Sequence, residues 1–225
     1  NSRKEYNKTI SYLKKINLTY YNNPEYYYHL SIAYRCMYSR LLAYYYANKA
    51  LHFFTKAHSF TRIIETEMLM LIQVEQEEQF DEKDSGYPRL IEMADDLGLD
   101  DQKAKLLHNY AYQQFRYGYY DKAVENYRKA LKIIEPSNSQ YLVSLEGYLN
   151  ASTKLGLTSD TELLRLANEG FSLATKLMDT MFKHYFQLHI YKIQNQKEQY
   201  YHYLETEVYP YFKQMGYALA AETYE

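Results

Sequence analysis

The chain has 225 residues, with 26 Lys and Arg against 28 Asp and Glu, and a formal net charge of −2. This balance, with a pI of about 6.4, argues against direct nucleic-acid binding by this segment, because such binding needs a basic face. A single cysteine excludes a disulfide framework and a cysteine-based zinc site. No run approaches the roughly 20 apolar residues of a membrane span.

The composition predicts an all-α protein whose core depends on tyrosine. Seven Gly and four Pro are too few for a turn-rich β fold, so we expect long helices with short connections. The chain has 30 Tyr, 9 Phe and no Trp, and its mean hydropathy is −0.61. Its core must therefore include tyrosine rings. The lone cysteine and the absence of a visible signal peptide predict a cytoplasmic protein without membrane association.

Helical periodicity and capping residues mark most of the helices. Asn23, Pro24 and Glu25 form a helix start, with an N-cap, a proline at the first helical position and an acid in the first turn. The other predicted segments are a leading helix Ser2–Ile16, helices Ser59–Val74 and Tyr87–Leu97, a polar helix end and loop at 75–86, trailing helices Met181–Asn195 and Lys197–Phe212, and a possible helix Tyr217–Tyr224.

The segment Lys105–Pro136 predicts two consecutive helices. The first is expected to run to about Tyr117 and to stop at Gly118, and Asp121 is the predicted N-cap of the second. In the later unit, helix Tyr141–Leu155 leads through a polar linker to a second helix, whose predicted cap is Asp160. Both segments are therefore predicted to be helix-turn-helix pairs.

Small residues recur at fixed spacing along the second helix of each pair. Three such triplets can be aligned: Ala43, Ala47 and Ala50; Ala123, Tyr127 and Ala130; and Ala167, Phe171 and Ala174. The Lys105–Pro136 unit also carries Leu107, Tyr110 and Ala111 in its first helix, with Gln114 where a tyrosine would complete the pattern. These residues resemble the tetratricopeptide repeat.

The repeat resemblance implies a right-handed superhelical solenoid of antiparallel helix pairs, with first helices on the concave face. Equivalent alanines are 44, 36 and 44 residues apart, from Ala50 through Ala94 and Ala130 to Ala174, so the repeats are degenerate. No Gly, Pro or Ser linker divides the chain. We therefore expect a single array over 1–225 with about four to six helical pairs.

The Tyr-rich repeats and the long helix after Tyr200 further resemble the C-terminal sensor domains of Gram-positive pheromone-responsive regulators of the Rap, NprR and PlcR type. This resemblance implies a non-catalytic domain that binds a short signalling peptide in its groove and switches a transcriptional or signalling effector. A start at Asn1 then fits a fragment that lacks an N-terminal effector domain. The implied mechanism is allosteric, with peptide binding tightening the superhelix.

The repeat register places candidate peptide contacts on the groove side of the first helices. They are Lys105, His108, Asn109, Tyr112, Phe115 and Arg116 in the best-matched unit, Tyr28 and Arg35 in the earlier unit, and Asn150 and Lys154 in the later one. The resemblance implies that Asn109 clamps the peptide backbone, and an amide can both donate and accept. Capping or bridging of neighbouring helices is the alternative role for Asn109.

Four of these candidates, Arg35, Lys105, Arg116 and Lys154, would make the groove cationic and favour an acidic peptide or a free carboxylate. The alternative is that they are ordinary solvated side chains.

No phosphate-binding glycine loop, serine elbow or HExxH motif is present, so no enzyme, cofactor or metal is predicted. A constitutive protein-interaction scaffold is the alternative function, and Lys197–Glu225 is the predicted contact of a homodimer.

Overall fold

The computed structural model describes residues 2–16, 23–74 and 85–215, and these are helices joined by short turns with no strand among them. The helices are α1 Ser2–Ile16, α2 Pro24–Cys36, α3 Arg40–Lys56, α4 Phe60–Val74, α5 Tyr87–Asp96, α6 Asp100–Arg116, α7 Tyr120–Ile133, α8 Ser139–Leu155, α9 Asp160–Lys176, α10 Thr180–Ile193, α11 Lys197–Tyr203, a π-helical turn Leu204–Val208, and α12 Tyr209–Gln214. The predicted all-α class is confirmed. Residues 75–84 of the polar segment predicted at 75–86, and the helix predicted at Tyr217–Tyr224, lie outside the described residues.

The chain divides into two compact units, Asn1–Leu106 and Leu107–Glu225, and the boundary falls inside α6. In the first unit, α3 packs between α2 and α4. In the second, α7, α8, α9 and α10 each pack against the next helix in the chain. Consecutive helices are thus paired within each unit, as a repeat array requires. The expectation of a single array over 1–225 stays a prediction.

The helix starts confirm one predicted cap and correct two. The Asn23 side chain accepts a hydrogen bond from the Glu25 N–H at 3.0 Å, as predicted. Ser159, not Asp160, caps α9, and Asp121 lies in the first turn of α7 rather than at its N-cap. Both acids are nevertheless next to a helix N-terminus, where the helix dipole favours negative charge. The preference of the helix dipole for negative charge is the same at the N-cap and in the first turn, so it could not identify the cap residue.

The small residues of the second helices lie at the points where helices touch. All the alanines of the three triplets lack exposed surface: Ala43, Ala47, Ala50, Ala123, Ala130, Ala167 and Ala174. The Ser31 hydroxyl donates to the Ala43 carbonyl at 2.8 Å, so the α2 and α3 backbones are in close approach. Gln114, which replaces the tyrosine of the repeat pattern, also fits into the packed interior. Gln114 is 1% exposed and accepts a hydrogen bond from the Asn126 amide at 2.8 Å.

Tyrosine supplies much of the first unit's core, as the composition predicted. The Tyr34 and Tyr46 rings stack with centroids 5.4 Å apart and an interplanar angle of 3°. Tyr27 stacks on Phe53 with centroids 5.8 Å apart. Such ring pairs contribute beyond the area that they bury, and their hydroxyls can still reach polar groups. A chain poor in aliphatic residues can therefore still build a packed interior.

Two glycines in the second unit leave space that aromatic rings of neighbouring helices fill. A Cβ at Gly147 would overlap the Tyr127 ring, and a Cβ at Gly170 would overlap the Phe186 ring. Glycine normally weakens a helix interior by about 1 kcal/mol relative to alanine. Here the missing side chain is what lets the ring reach the neighbouring helix.

We predict that Gly170→Ala destabilises the protein by about 1–3 kcal/mol, because the gain in helix propensity is outweighed by overpacking against Phe186. Denaturant unfolding of the purified chain measures the effect. The double variant Gly170→Ala, Phe186→Leu should recover part of the loss, since leucine removes the ring that the new methyl group meets. An increase in stability from Gly170→Ala alone would contradict the packing described.

Several turns use the left-handed backbone conformation. Gly98, Gly118 and Gly156 adopt it, and so do four residues with side chains: Tyr38, His58, Met178 and Asn195. A side chain in this conformation costs about 1–2 kcal/mol. Met178 has φ of 56° and is 88% exposed, so its side chain contributes little packing in return.

We therefore predict that Met178→Gly raises the free energy of unfolding by up to about 1 kcal/mol, because it relieves backbone strain at an exposed turn. Gly118→Ala is the reverse substitution, because it places a side chain at a left-handed position that is now occupied by glycine. Gly118 has φ of 83° with open space around it, so a loss of about 1 kcal/mol is expected from strain alone. Thermal and denaturant unfolding of the two variants should move in opposite directions.

None of the helices among the described residues is both long enough and apolar enough to cross a membrane.

Candidate functional site

The second unit contains a cavity of about 280 Å³ where its first helices α6, α8 and α10 come together. We call it the α6–α8–α10 cavity. It is lined by Phe115, Glu146, Asn150, Tyr185, Leu188, His189, Lys192 and Tyr200. Two of the predicted contacts, Phe115 and Asn150, are thus brought together at one site. The lining combines aromatic rings with polar groups, a combination suited to a ligand with a polar backbone and apolar side chains.

Glu146 lies at the centre of the polar contacts in this cavity. Its carboxylate accepts a hydrogen bond from the Asn150 side-chain amide, one helical turn further along α8. The His189 Nε2 atom of α10 lies 3.7 Å from the same carboxylate, and the two side chains are only 10% and 26% exposed. One hydrogen bond from Asn150 and the neighbouring imidazole thus hold this partly buried carboxylate in position.

The contact with Glu146 fixes the direction of the Asn150 amide. Because a carboxylate cannot donate, the NH₂ group of Asn150 must face Glu146, and its Oδ1 points elsewhere. Within the residues that the structure describes, this Oδ1 accepts no hydrogen bond. An oriented and unoccupied acceptor at the edge of an aromatic-lined cavity is suited to a peptide N–H.

His108 occupies a more structural position than the other candidates on α6. Its Nδ1 lies 3.1 Å from the Ser144 hydroxyl of α8, and its ring meets the Tyr127 ring edge-on with centroids 5.4 Å apart. Burial lowers the pKa of His108 to about 4, although the nearby charge of Glu146 acts in the opposite direction. The imidazole is therefore neutral at pH 7 and links three helices.

The remaining candidates on α6 lie outside the cavity lining. Tyr112 is 49% exposed, and the Arg116 guanidinium lies 6.0 Å from the centre of its ring, one turn away. Asn109 is half-buried and already makes contacts within the protein. Lys154 of α8 is exposed near the end of that helix. These side chains are accessible to a ligand, but the structure does not gather them into one pocket.

In the first unit, Tyr28 belongs to a charged cluster that sequence patterns did not predict. The Arg62 guanidinium lies 4.9 Å from the centre of the Tyr28 ring. Arg62 also makes two hydrogen bonds to Glu25, at 2.9 and 2.8 Å, and one to Glu65 at 2.7 Å. Burial raises the pKa of Tyr28. The charge of Arg35 also acts on Tyr28, so two arginines and two carboxylates surround this ring. Arg35 is exposed, and Lys105 of the same unit is half-buried.

The α6–α8–α10 cavity carries a mixed charge. Lys192 is a cation, Glu146 is an anion, and His189 adds a charge only when it is protonated. The expectation of a cationic groove depends on four other side chains, of which Arg35, Arg116 and Lys154 are exposed. Across the described residues, no three His, Cys, Asp or Glu side chains are grouped as metal ligands would be.

The repeat register did not predict that residues of α10 line the cavity. Tyr185, Leu188, His189 and Lys192 recur at three- and four-residue spacing, which places them on one face of α10. This signal is present in the sequence, but the resemblance assigns Met181–Asn195 to a trailing pair without groove positions. Nothing local distinguishes Glu146 from a solvated acid, so no sequence signal could have identified it.

We predict that stability falls on acidification from pH 6.5 towards pH 4, partly through His108. Its folded-state pKa of about 4 lies below the ordinary value of 6.5, so the unfolded chain binds the proton first. The stability contributed by the neutral imidazole is complete above pH 6.5 and is lost as the pH falls towards 4. The loss is up to about 3 kcal/mol.

The variant His108→Asn keeps a polar atom near Ser144 but cannot titrate, so its stability should depend less on pH across this range. Denaturant unfolding at several pH values measures the difference. His52→Asn is a suitable control because His52 is exposed on α3. Equal pH dependence in the wild type and in His108→Asn would show that the buried imidazole does not control this transition.

Comparison with known proteins relates the fold to peptide-binding regulators. No protein-family model matches the sequence, and no curated protein matches it. Among solved structures, the apo quorum sensor NprR from B. thuringiensis superposes with a TM-score of 0.77 at 20% identity, covering 97% of this chain and 63% of that one. NprR in complex with its cognate peptide NprX gives 0.69 at 20% identity, covering 99% and 64%.

The Rap conjugation gene regulator of plasmid pLS20, in complex with the Phr* peptide, gives a TM-score of 0.73 at 18% identity, covering 94% of this chain and 62% of that chain. The present chain thus spans about three fifths of the length of these proteins. The resemblance to Rap and NprR inferred from the sequence is confirmed as a likeness of fold. At this level of identity, the likeness establishes that the chain has the helical, tetratricopeptide-like fold of these quorum-sensing and gene-regulatory proteins.

Proposed function

We propose that this chain is a non-catalytic, cytoplasmic sensor domain that binds a short signalling peptide and switches an effector. The observation that carries the proposal is the α6–α8–α10 cavity, in which Glu146 orients the Asn150 amide and leaves an acceptor for a peptide N–H. The solved neighbours NprR and Rap support it, because two of them are complexes with the short peptides NprX and Phr*.

The cavity offers complementary groups for a short extended peptide. Phe115, Tyr185 and Tyr200 supply ring surface for an apolar side chain. Asn150 can accept from the peptide backbone, while Lys192 can pair with a carboxylate at the side chain or at the peptide's C-terminus. The exposed Tyr112 and Arg116, together with Asn109, extend the contact surface along α6.

Native mass spectrometry of the purified chain, mixed with size-fractionated peptides from spent growth medium, tests the proposal. Retention of one short peptide per chain is the expected result, and it would give the ligand's mass. The same spectra show whether binding changes the oligomeric state, which tests the proposed dimer through Lys197–Glu225. If a folded protein retains no peptide, the scaffold function is favoured, and folded partners should then be sought.

With a peptide in hand, we predict that Asn150→Ala weakens binding at least about tenfold, because one directed hydrogen bond to the backbone is lost. Asn109→Ala should weaken binding similarly if Asn109 clamps the peptide. The matched control is Asn168→Ala, since Asn168 is exposed on α9 and its amide donates to its own helix at the Leu164 carbonyl. Isothermal titration calorimetry measures all three variants.

The controls separate loss of a contact from loss of structure. Asn168→Ala should keep wild-type affinity, and all variants should keep the wild-type helical signal. Unchanged affinity of Asn150→Ala would remove the α6–α8–α10 cavity from the peptide site, and unchanged affinity of Asn109→Ala would remove Asn109 from it.

A further inference from the structure

A second and larger cavity of the same unit lies on the other side of α10. Its volume is about 540 Å³, within the range of about 300–1,000 Å³ typical of small-molecule sites. We call it the α10–α12 cavity. One wall is α10 and the other is the segment α11, the π-helical turn and α12. The α10 residues Lys183, Gln187 and Tyr191 line it, so α10 presents different faces to the two cavities.

The π-helical turn places its polar residues in this cavity. Pro210 has no N–H to bond the carbonyl four residues earlier, so a regular helix is interrupted at this point. The turn Leu204–Val208 widens instead, and the Tyr209 N–H bonds to the Leu204 carbonyl. Leu204 and Val208 stay buried, whereas Thr206 and Glu207 line the cavity. Such π turns within helices are frequent at functional sites.

A pair of neutral groups forms one side of the cavity. The Tyr203 hydroxyl lies 2.8 Å from His184 Nδ1, and the His184 ring packs 5.0 Å from the Tyr211 ring, centre to centre. Burial lowers the pKa of His184 and raises the pKa of Tyr203 to about 12, so both are uncharged at pH 7. The charged side chains of the lining are then Lys183 and Glu207.

Lys183 lies beside an aromatic ring, and Glu207 is exposed to solvent at the cavity. Lys183 Nζ lies 5.7 Å from the centre of the Phe171 ring, and neither Lys183 nor Glu207 forms an ion pair with any residue in the described part of the chain. Both act electrostatically on His184, which places them near the same imidazole. One cation and one anion therefore face the same cavity, among the rings of Phe171, Tyr191 and Tyr211.

We propose that the α10–α12 cavity binds a free aromatic α-amino acid. Lys183 would receive the carboxylate, Glu207 the ammonium group, and the tyrosine rings the aromatic side chain. A phosphorylated or other multiply anionic ligand fits less well, because Glu207 would repel it. A purely apolar ligand would make no use of either charge. The proposal concerns a site separate from the peptide site and does not depend on peptide binding.

Titration of the whole chain with L-phenylalanine, followed by calorimetry or by ligand-observed NMR, tests this site. We expect saturable binding of one molecule per chain. Phenethylamine lacks the carboxylate and 3-phenylpropionate lacks the ammonium group, so each should bind at least tenfold more weakly than L-phenylalanine. Because this comparison uses the wild-type protein, it is independent of any effect of mutation on folding. Equal binding of either analogue would overturn the proposal.

Variants that remove one charge each test whether Lys183 and Glu207 bind the ligand. Lys183→Gln and Glu207→Gln should each weaken L-phenylalanine binding at least tenfold, with the first acting on the carboxylate and the second on the ammonium group. Glu205→Gln in the same π turn and Lys176→Gln at the end of α9 are controls, because both residues are exposed and do not line the cavity. Absence of saturable binding up to about 10 mM, or an equal loss in the controls, would refute the site.

Discussion

Close contact between helices at small residues is the constraint on which the rest of this structure depends. Alanines without exposed surface line the second helices of the pairs, and Gly147 and Gly170 admit whole rings from Tyr127 and Phe186. With few large aliphatic residues available, the interior is filled by rings inserted at these small positions. Enlarging a small residue therefore disrupts this packing, because the ring on the facing helix no longer fits.

This packing also determines where polar groups can be used. Where rings fill the space between helices, polar side chains on the adjacent face of the same helix can line a cavity. Helices α6, α8 and α10 contribute such side chains to one cavity. Glu146 acts in this way, since it meets the Asn150 amide on its own helix and His189 on α10. The cavity is thus built by the same helix spacing that builds the core.

The helix α10 links the two candidate sites of the second unit. One of its faces supplies His189 and Lys192 to the α6–α8–α10 cavity, and another supplies Lys183 to the α10–α12 cavity. A single helix that contacts two ligands can transmit an effect of one on the other only if each ligand prefers the same arrangement of that helix. Measuring peptide affinity with and without an amino-acid ligand would detect such coupling.

The sequence by itself determined the helical class, most helix boundaries and the small-residue triplets. Periodicity and capping are local properties, so the cap at Asn23 and the alanines of α3 follow correctly from the order of residues alone. Among the site candidates, the repeat register predicted that Phe115 and Asn150 would face a common groove, and both line one cavity. The roles of the other candidates remain predictions.

Only the tertiary structure decided which charges meet across helix–helix contacts. Arg62 is paired with Glu25, 37 residues away in the chain, and Glu146 lies beside His189 of another helix. Helical spacing gives the face of a residue, but it does not give the neighbour across a helix–helix contact or the rotamer that reaches it. At the π turn, Pro210 already marks a break in the regular helix in the sequence, because proline lacks the N–H group, but only the structure shows that this turn brings Glu207 to a cavity.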